Sequence, residues 1–261
     1  MNDNVDLSIR QFVAAWRVMC SAAPTYAARS GPGVECIFSG SPIPFFNVAV
    51  LTGRNISAES VRISAASARA WAAGYGVPWI FAATREALAP DIDIVAVLDS
   101  CGFAPFLDLT GMLTTQVDSP TRPPDGLDLR VPQTDSECEA ILEVNSAAYG
   151  MSLAAGNSVW GKRAFWTGHF PVVGFKAGEP VSCSAVFMVD GHRYVGMVAT
   201  APGHQRNGYA EATMRRALEL SGEHPTFLHA TDAGRPIYQR MGYQTVASHP
   251  VFIDKAFLAS H

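Results

Sequence analysis

The chain has 261 residues, of which 48% are hydrophobic and 16% charged, with a formal net charge of −4. That balance supports a buried core, excludes a disordered chain and argues against a nucleic-acid partner, since there is no basic block. The length accommodates one large domain or two modest ones, and no apolar run approaches the roughly 20 residues a membrane-spanning helix needs.

Residues 1–6 are acidic and lack the basic-then-apolar pattern of a secretory signal, so a cytoplasmic chain is expected. The five cysteines (Cys20, Cys36, Cys101, Cys138, Cys183) form no C-x-x-C pair, and the seven histidines show no H-E-x-x-H spacing. Free, mostly buried thiols are expected, and no metal site.

In chain order, residues 6–22 predict a helix with Ile9, Phe12, Val13, Trp16 and Met19 on one face. Residues 34–39 and 46–52 predict a hairpin around Pro42 and Pro44. Ser57 is placed to cap a helix over 58–73, and 79–83 predicts a buried strand. Residues 97–103 end in Gly102-Phe103 and lead into strand character over 106–117. Three prolines and a glycine within 118–126 predict a linker, dividing the chain into domains 1–117 and 127–261.

The second half alternates regularly. A short strand over 127–130 precedes Thr134-Asp135-Ser136-Glu137, which supplies N-cap residues for a helix to about 148. Residues 171–176 and 181–189 predict paired strands, and Asp190-Gly191 turns into a strand over 193–200. A helix over 208–220, a strand near 226–230, a short helix over 235–240 and a strand over 245–253 follow. The order β-α-β-β-β-α-β-α-β predicts an α/β fold.

Between the strand ending at Thr200 and the helix lies Gln205-Arg206-Asn207-Gly208-Tyr209-Ala210. A helix N-terminus presents backbone N–H groups without intrahelical partners and a partial positive charge. Gly208 and Ala210 let a diphosphate approach that main chain, so the loop is a candidate anion cradle. About thirty residues on comes Ile237-Tyr238-Gln239-Arg240-Met241-Gly242-Tyr243.

Together, in this order and at this separation, the two segments resemble the GNAT superfamily of N-acetyltransferases. The resemblance covers about half of the chain, from Leu127 onward. It implies the GNAT acyl-CoA transferase fold for that half, with acetyl-CoA as cosubstrate. In that family the Gln-x-x-Gly-x-Ala loop holds the pyrophosphate, here Gln205, Arg206, Asn207, Gly208, Tyr209 and Ala210. The preceding strand splays from its neighbour, so the backbone of Val198, Ala199 and Thr200 would pair with the pantetheine arm, an N–H near Val198 facing the thioester carbonyl. Tyr238 would stand near the sulfur as general acid, a phenol already protonated at neutral pH.

The first half echoes the pattern of helix, Gly-aromatic pair and strand, and reads as a degenerate GNAT-like α/β domain. It has no glycine in Asn55-Ile56-Ser57-Ala58-Glu59-Ser60, and carries Asp99 or Ser100 where the second half carries Tyr238. Both differences work against CoA binding there.

Many relatives carry a Glu in or before the fourth strand as general base, but 193–200 holds no carboxylate. Asp190, His192 and Glu143 remain candidates, with deprotonation through water or a neutral amine as the other routes. Tyr149, Trp166 and His169, with Trp160 and Phe165, mark the expected acceptor side, which suits an apolar or aromatic amine. The leading expectation is transfer of acetyl to a primary amine. A tandem GNAT enzyme with a larger acyl donor (tandem members include mycothiol synthase-like enzymes and transferases using larger acyl groups) and a non-catalytic acyl-CoA sensor are the alternatives. A homodimer is left open.

Overall fold

The computed structural model describes residues 3–120 and 124–258, so Thr121, Arg122 and Pro123 of the expected linker lie outside the described residues. Helix α1 (Asp3–Cys20) buries Ile9, Phe12, Trp16 and Met19, as its apolar spacing predicts. Strands β1 (Ala27–Gly31) and β2 (Val34–Phe38) form an antiparallel hairpin, and β3 (Asn47–Leu51) pairs antiparallel with β2. Helix α2 (Ala58–Ala72) starts at Ser57, whose hydroxyl accepts from the Ser60 N–H. Strand β4 (Ile80–Ala82), helix α3 (Ile94–Ser100) and strand β5 (Phe103–Thr114) follow.

The chain continues through β6 (Asp128–Arg130), α4 (Asp135–Tyr149), α5 (Leu153–Trp160), β7 (Phe170–Lys176), β8 (Glu179–Val189), β9 (His192–Thr200), α6 (Tyr209–Leu220), β10 (Thr226–Thr231), α7 (Arg235–Arg240) and β11 (Gln244–Asp254). Thr134 opens α4 with a complete capping box through Glu137. The fold is mixed α/β, as the element order predicts.

By contact the chain forms two units. Unit 1 comprises Met1–Met112, His229–Pro236 and Thr245–His261, and unit 2 comprises Leu113–Leu228 and Ile237–Gln244. This departs from the linear division at 118–126. The reason is β11, which belongs to unit 1 and pairs antiparallel with β4 through Val251↔Ala82, Phe252↔Phe81 and Ile253↔Ile80. A local composition break cannot report a return of the chain over that distance.

In unit 1, β3 and β4 run parallel in unbroken register, Val48↔Ile80 to Val50↔Ala82. Its core holds a polar cluster at Ser8. Ser8 Oγ lies 2.7 Å from His249 Nε2 and 3.3 Å from His229 Nε2, and His249 Nδ1 lies 3.0 Å from Thr84 Oγ1. The two imidazoles meet edge to face at 4.7 Å, beneath the ring of Phe12. Burial disfavours their charged forms, pushing His249 down to about 3 and His229 well below the usual imidazole range.

In unit 2 the antiparallel strands β6, β7, β8 and β9 lie in that order, and β10 pairs parallel with β9. Alternation along β8 sets two faces. Cys183 points toward α4, its Sγ 3.6 Å from Ile141 O. Ser182 pairs with Gly174, whose added Cβ would meet Thr213 of α6 at 3.2 Å. Helices α4 and α6 therefore cover opposite faces of this unit's sheet.

Candidate functional site

The site begins where regular pairing stops. Strand β10 pairs with β9 only at Thr226↔Arg193 and Phe227↔Tyr194, so β9 from Val195 onward has no partner residue on that side. On the β8 side, Ala185 faces Gly196 and Cys183 faces Ala199. Ser184 therefore opposes two residues, Met197 and Val198, which is a β-bulge in β9. Met197 takes φ +54, a left-handed conformation uncommon for a residue with a side chain.

Helix α4 grips this bulge from one face. The amide of Asn145 donates from Nδ2 to Met197 O at 3.4 Å, and the Cys183 thiol donates to the same carbonyl at 3.3 Å. Asn145 Nδ2 also lies 3.0 Å from Cys183 Sγ and 2.9 Å from Ile141 O. One turn further along α4, the Tyr149 hydroxyl donates to Val198 O at 2.7 Å, although Tyr149 leaves 56% of its surface in solvent. Cys183 is fully buried, and desolvation raises its thiol well above the usual range, so it is a neutral donor. Beyond the bulge the strand is zipped up again. Ala199 and Thr200 pair with Cys183 and Ser182, and the Ser182 hydroxyl donates to Ala199 O at 2.8 Å.

From Thr200 the chain turns through a loop in which Gly203, Arg206 and Gly208 all take positive φ. Gln205, Arg206, Asn207 and Gly208 are exposed, Ala210 is half-buried, and Tyr209 is buried against the unit. Asn207 does not point outward: its Nδ2 donates to His204 O at 3.0 Å and Gln205 O at 3.2 Å, bracing the loop. Gly208 caps α6 at φ +78 and supplies no side-chain bond. In this α6 differs from α2, α3, α4 and α5, whose first-turn N–H groups donate to the capping side chains of Ser57, Asp93, Thr134 and Ser152. The N–H groups of Gly208, Tyr209 and Ala210 stand at a helix start whose cap provides only backbone, which suits an anion. Glu211 in the first turn is paired with Arg215 at 2.8 Å and so does not oppose a phosphate with a free charge.

Tyr238 lies on α7, 8% exposed. Burial raises its phenol far above the usual range, with a further push from Tyr149. It is therefore held as a neutral O–H donor. Tyr149 and Val198 thus meet, contiguous in chain with the 205–210 loop, and Tyr238 lies near enough to Tyr149 for its charge to be felt.

Two expected acceptor residues are not brought there. Trp166 is fully buried, its indole N–H donating to Trp160 O at 2.8 Å, and serves as core. His169 sits over Phe187, ring centroids 5.0 Å apart. Phe187 is three residues along β8 from Ser184, so roughly 10 Å from the bulge at the ~3.3 Å rise of a strand. Aromatic composition alone does not separate a lining ring from a core ring, which is why both were expected at the site. Of the base candidates, His192 Nδ1 faces Asp190 O at 2.9 Å within the β8–β9 turn, and Glu143 is exposed on α4. Asn145, by contrast, was missed. Its signal is a polar residue in phase with Cys138, Ile141 and Leu142, all on the buried stripe of α4.

Among the described residues no group of three His, Cys, Asp or Glu is placed to hold a metal, and no helix is long and apolar enough to cross a membrane.

Comparison with known proteins agrees with this geometry. Residues 141–243 match the model of the Acetyltransferase (GNAT) family. A search of curated proteins found no match. Among solved structures, a GCN5-related N-acetyltransferase from Kribbella flavida superposes with TM-score 0.70 at 19% identity, over 95% of each chain. Another from Sphaerobacter thermophilus gives 0.58 at 13% identity, over 94% of this chain and 91% of that one. A tandem GNAT protein from the clavulanic acid biosynthesis pathway gives 0.53 at 14%, over 97% and 95%. At these identities the superpositions establish the fold along nearly the whole chain, and residues 141–243 are the part similar to the GNAT acetyltransferase family.

Proposed function

We propose that unit 2 is an acetyl-CoA-dependent N-acetyltransferase that passes an acetyl group directly to a primary amine of a small molecule or peptide. The observation that carries the reading is the coincidence, along one stretch of chain, of an unpaired bulge at Met197–Val198 and a helix start without a side-chain cap at Gly208. Acetyl-CoA would supply an activated thioester. The N–H groups of Arg206, Gly208, Tyr209 and Ala210 are the candidates to hold its pyrophosphate, with the Arg206 guanidinium adding charge. The open edge of β9 from Val198 to Thr200 would accept the pantetheine arm as an added strand.

The Val198 N–H would meet the thioester carbonyl, where a fixed donor favours the charge that develops. Tyr238, held protonated, would donate toward the departing sulfur. With no carboxylate on β9, the amine arrives neutral or loses its proton to water.

Among its described residues, unit 1 differs in these features. Its β3 and β4 are in register through Val50↔Ala82, its α2 start is capped by Ser57, and Arg54 is ion-paired with Asp6. We assign it no acyl-CoA.

The test is a thermal titration with acetyl-CoA. Saturation at one hundred times the dissociation constant adds ~2.7 kcal/mol, a rise of several degrees. Gly208→Glu should abolish it. No shift at millimolar acetyl-CoA sinks the proposal.

The missing strand carboxylate favours a second reading, a non-catalytic acyl-CoA sensor. A protein that binds acetyl-CoA but acetylates no amine in a broad panel, with Tyr238→Phe silent, is that sensor.

A further inference from the structure

We infer that Asn145, backed by Cys183, is the positioning residue that aims the Val198 N–H at the acyl carbonyl, an assignment that rests on the transferase reading above. In a regular strand, successive carbonyls point to opposite sides, so one helix cannot take two in a row. Here it does. Asn145 and Tyr149, one turn apart on α4, hold the carbonyls of Met197 and Val198 respectively. The left-handed φ of Met197 and the two-against-one register make this arrangement fit.

Such a backbone is disfavoured for a residue with a Cβ and persists only where its surroundings hold it. The holders are visible. Asn145 is 3% exposed and Cys183 fully buried, and both donate to Met197 O. An amide at this place is not required by packing, because its neighbours on the helix stripe are Cys138, Ile141 and Leu142. A buried amide must instead find polar partners, and the one it finds outside its own helix backbone and Cys183 is the bulge.

The consequence follows from peptide geometry. The Met197 C=O and the Val198 N–H share one planar trans unit and point in opposite directions. Drawing Met197 O toward α4 therefore turns the Val198 N–H away from α4, at the part of β9 that β10 does not pair. Asn145 touches no reacting atom. It acts through the peptide it fixes.

The experiment is infrared difference spectroscopy of acetyl-CoA labelled with ¹³C at the carbonyl, bound to the whole protein, together with the affinities of acetyl-CoA and CoA. In the wild type the bound carbonyl stretch falls below its solution value. Asn145→Leu should return most of that shift and cut the preference for acetyl-CoA over CoA about tenfold, the scale of one hydrogen bond. CoA affinity itself should stay within about twofold. Cys183→Ser keeps a donor and should retain the shift, while Cys183→Ala should lose part of it.

If Asn145→Leu only lowers the melting temperature, with stretch and preference unchanged, Asn145 is structural and the inference is wrong. Should that variant not fold, Asn145→Ser and Cys183→Ala read the same quantity, and an unchanged stretch in both overturns it. A wild-type protein that binds acetyl-CoA without shifting the carbonyl overturns the inference alone. One that does not bind acetyl-CoA removes the transferase reading with it.

Discussion

Ser8 on α1 and His249 on β11 meet side chain to side chain at 2.7 Å, in the interior of unit 1. Both are fully buried, and the imidazole is neutral because desolvation holds its pKa at about 3. In the unfolded chain the same group titrates near 6.5. Below that value the unfolded state binds the extra proton and the folded state does not, so stability falls as pH falls from about 6.5 toward 3. The slope approaches 1.4 kcal/mol per pH unit for His249, with His229 adding in the same direction. Urea unfolding at pH 7, 6 and 5 measures it, and His249→Gln should flatten the dependence.

Gly111 lies beside this contact. A Cβ there would stand 2.2 Å from Ser8 Oγ and 3.1 Å from His249 Nε2. Gly111→Ala, which usually strengthens a strand, should here cost about 1–3 kcal/mol by displacing the Ser8 hydroxyl. Thermal unfolding of the variant reads the sign directly; a more stable protein contradicts the packing described.

Tyr238→Phe keeps the ring and removes the O–H. Turnover should drop by about two orders of magnitude, the lower range for a positioned proton donor, with acetyl-CoA affinity unchanged. Since burial raises the phenol rather than lowering it, the wild-type rate should show no alkaline loss from this group near pH 10. A fall centred there would assign the proton to another residue.

Arg193 is 7% exposed and its Nη1 donates to Leu218 O at 3.4 Å and Gly222 O at 2.5 Å, at the C-terminal end of α6. A cation there also meets the negative end of the helix. Arg193→Leu leaves those carbonyls without this donor and should cost about 2 kcal/mol in chemical denaturation. Arg193→Lys should recover only part of it, since one ammonium does not reproduce the guanidinium fork.

The parts legible in the sequence are those whose chemistry is written in adjacent residues. The 205–210 loop, the Thr134 cap and the turn at Asp190-Gly191 each declare themselves within six positions. Strand β1 did not, because Ala-Ala-Arg-Ser-Gly carries no β-branched or aromatic residue and owes its form to pairing with β2. Helix α5 was hidden by its Gly156 and Asn157, and is started by Ser152. The bulge at Met197 is invisible in Gly-Met-Val-Ala, since its cause sits on α4 at Asn145. Long-range causes leave no local mark.

The return of β11 to unit 1 also fixes an order of events. Ala82 emerges early in synthesis, yet its partner Val251 emerges only after all of Leu113–Leu228. The first unit must therefore wait, with one side of β4 unpaired, while the second has nearly its whole sequence in hand. Contacts of such separation are closed late and slowly. Shortening the chain before residue 245 would thus injure the beginning of the protein more than the segment next to the cut.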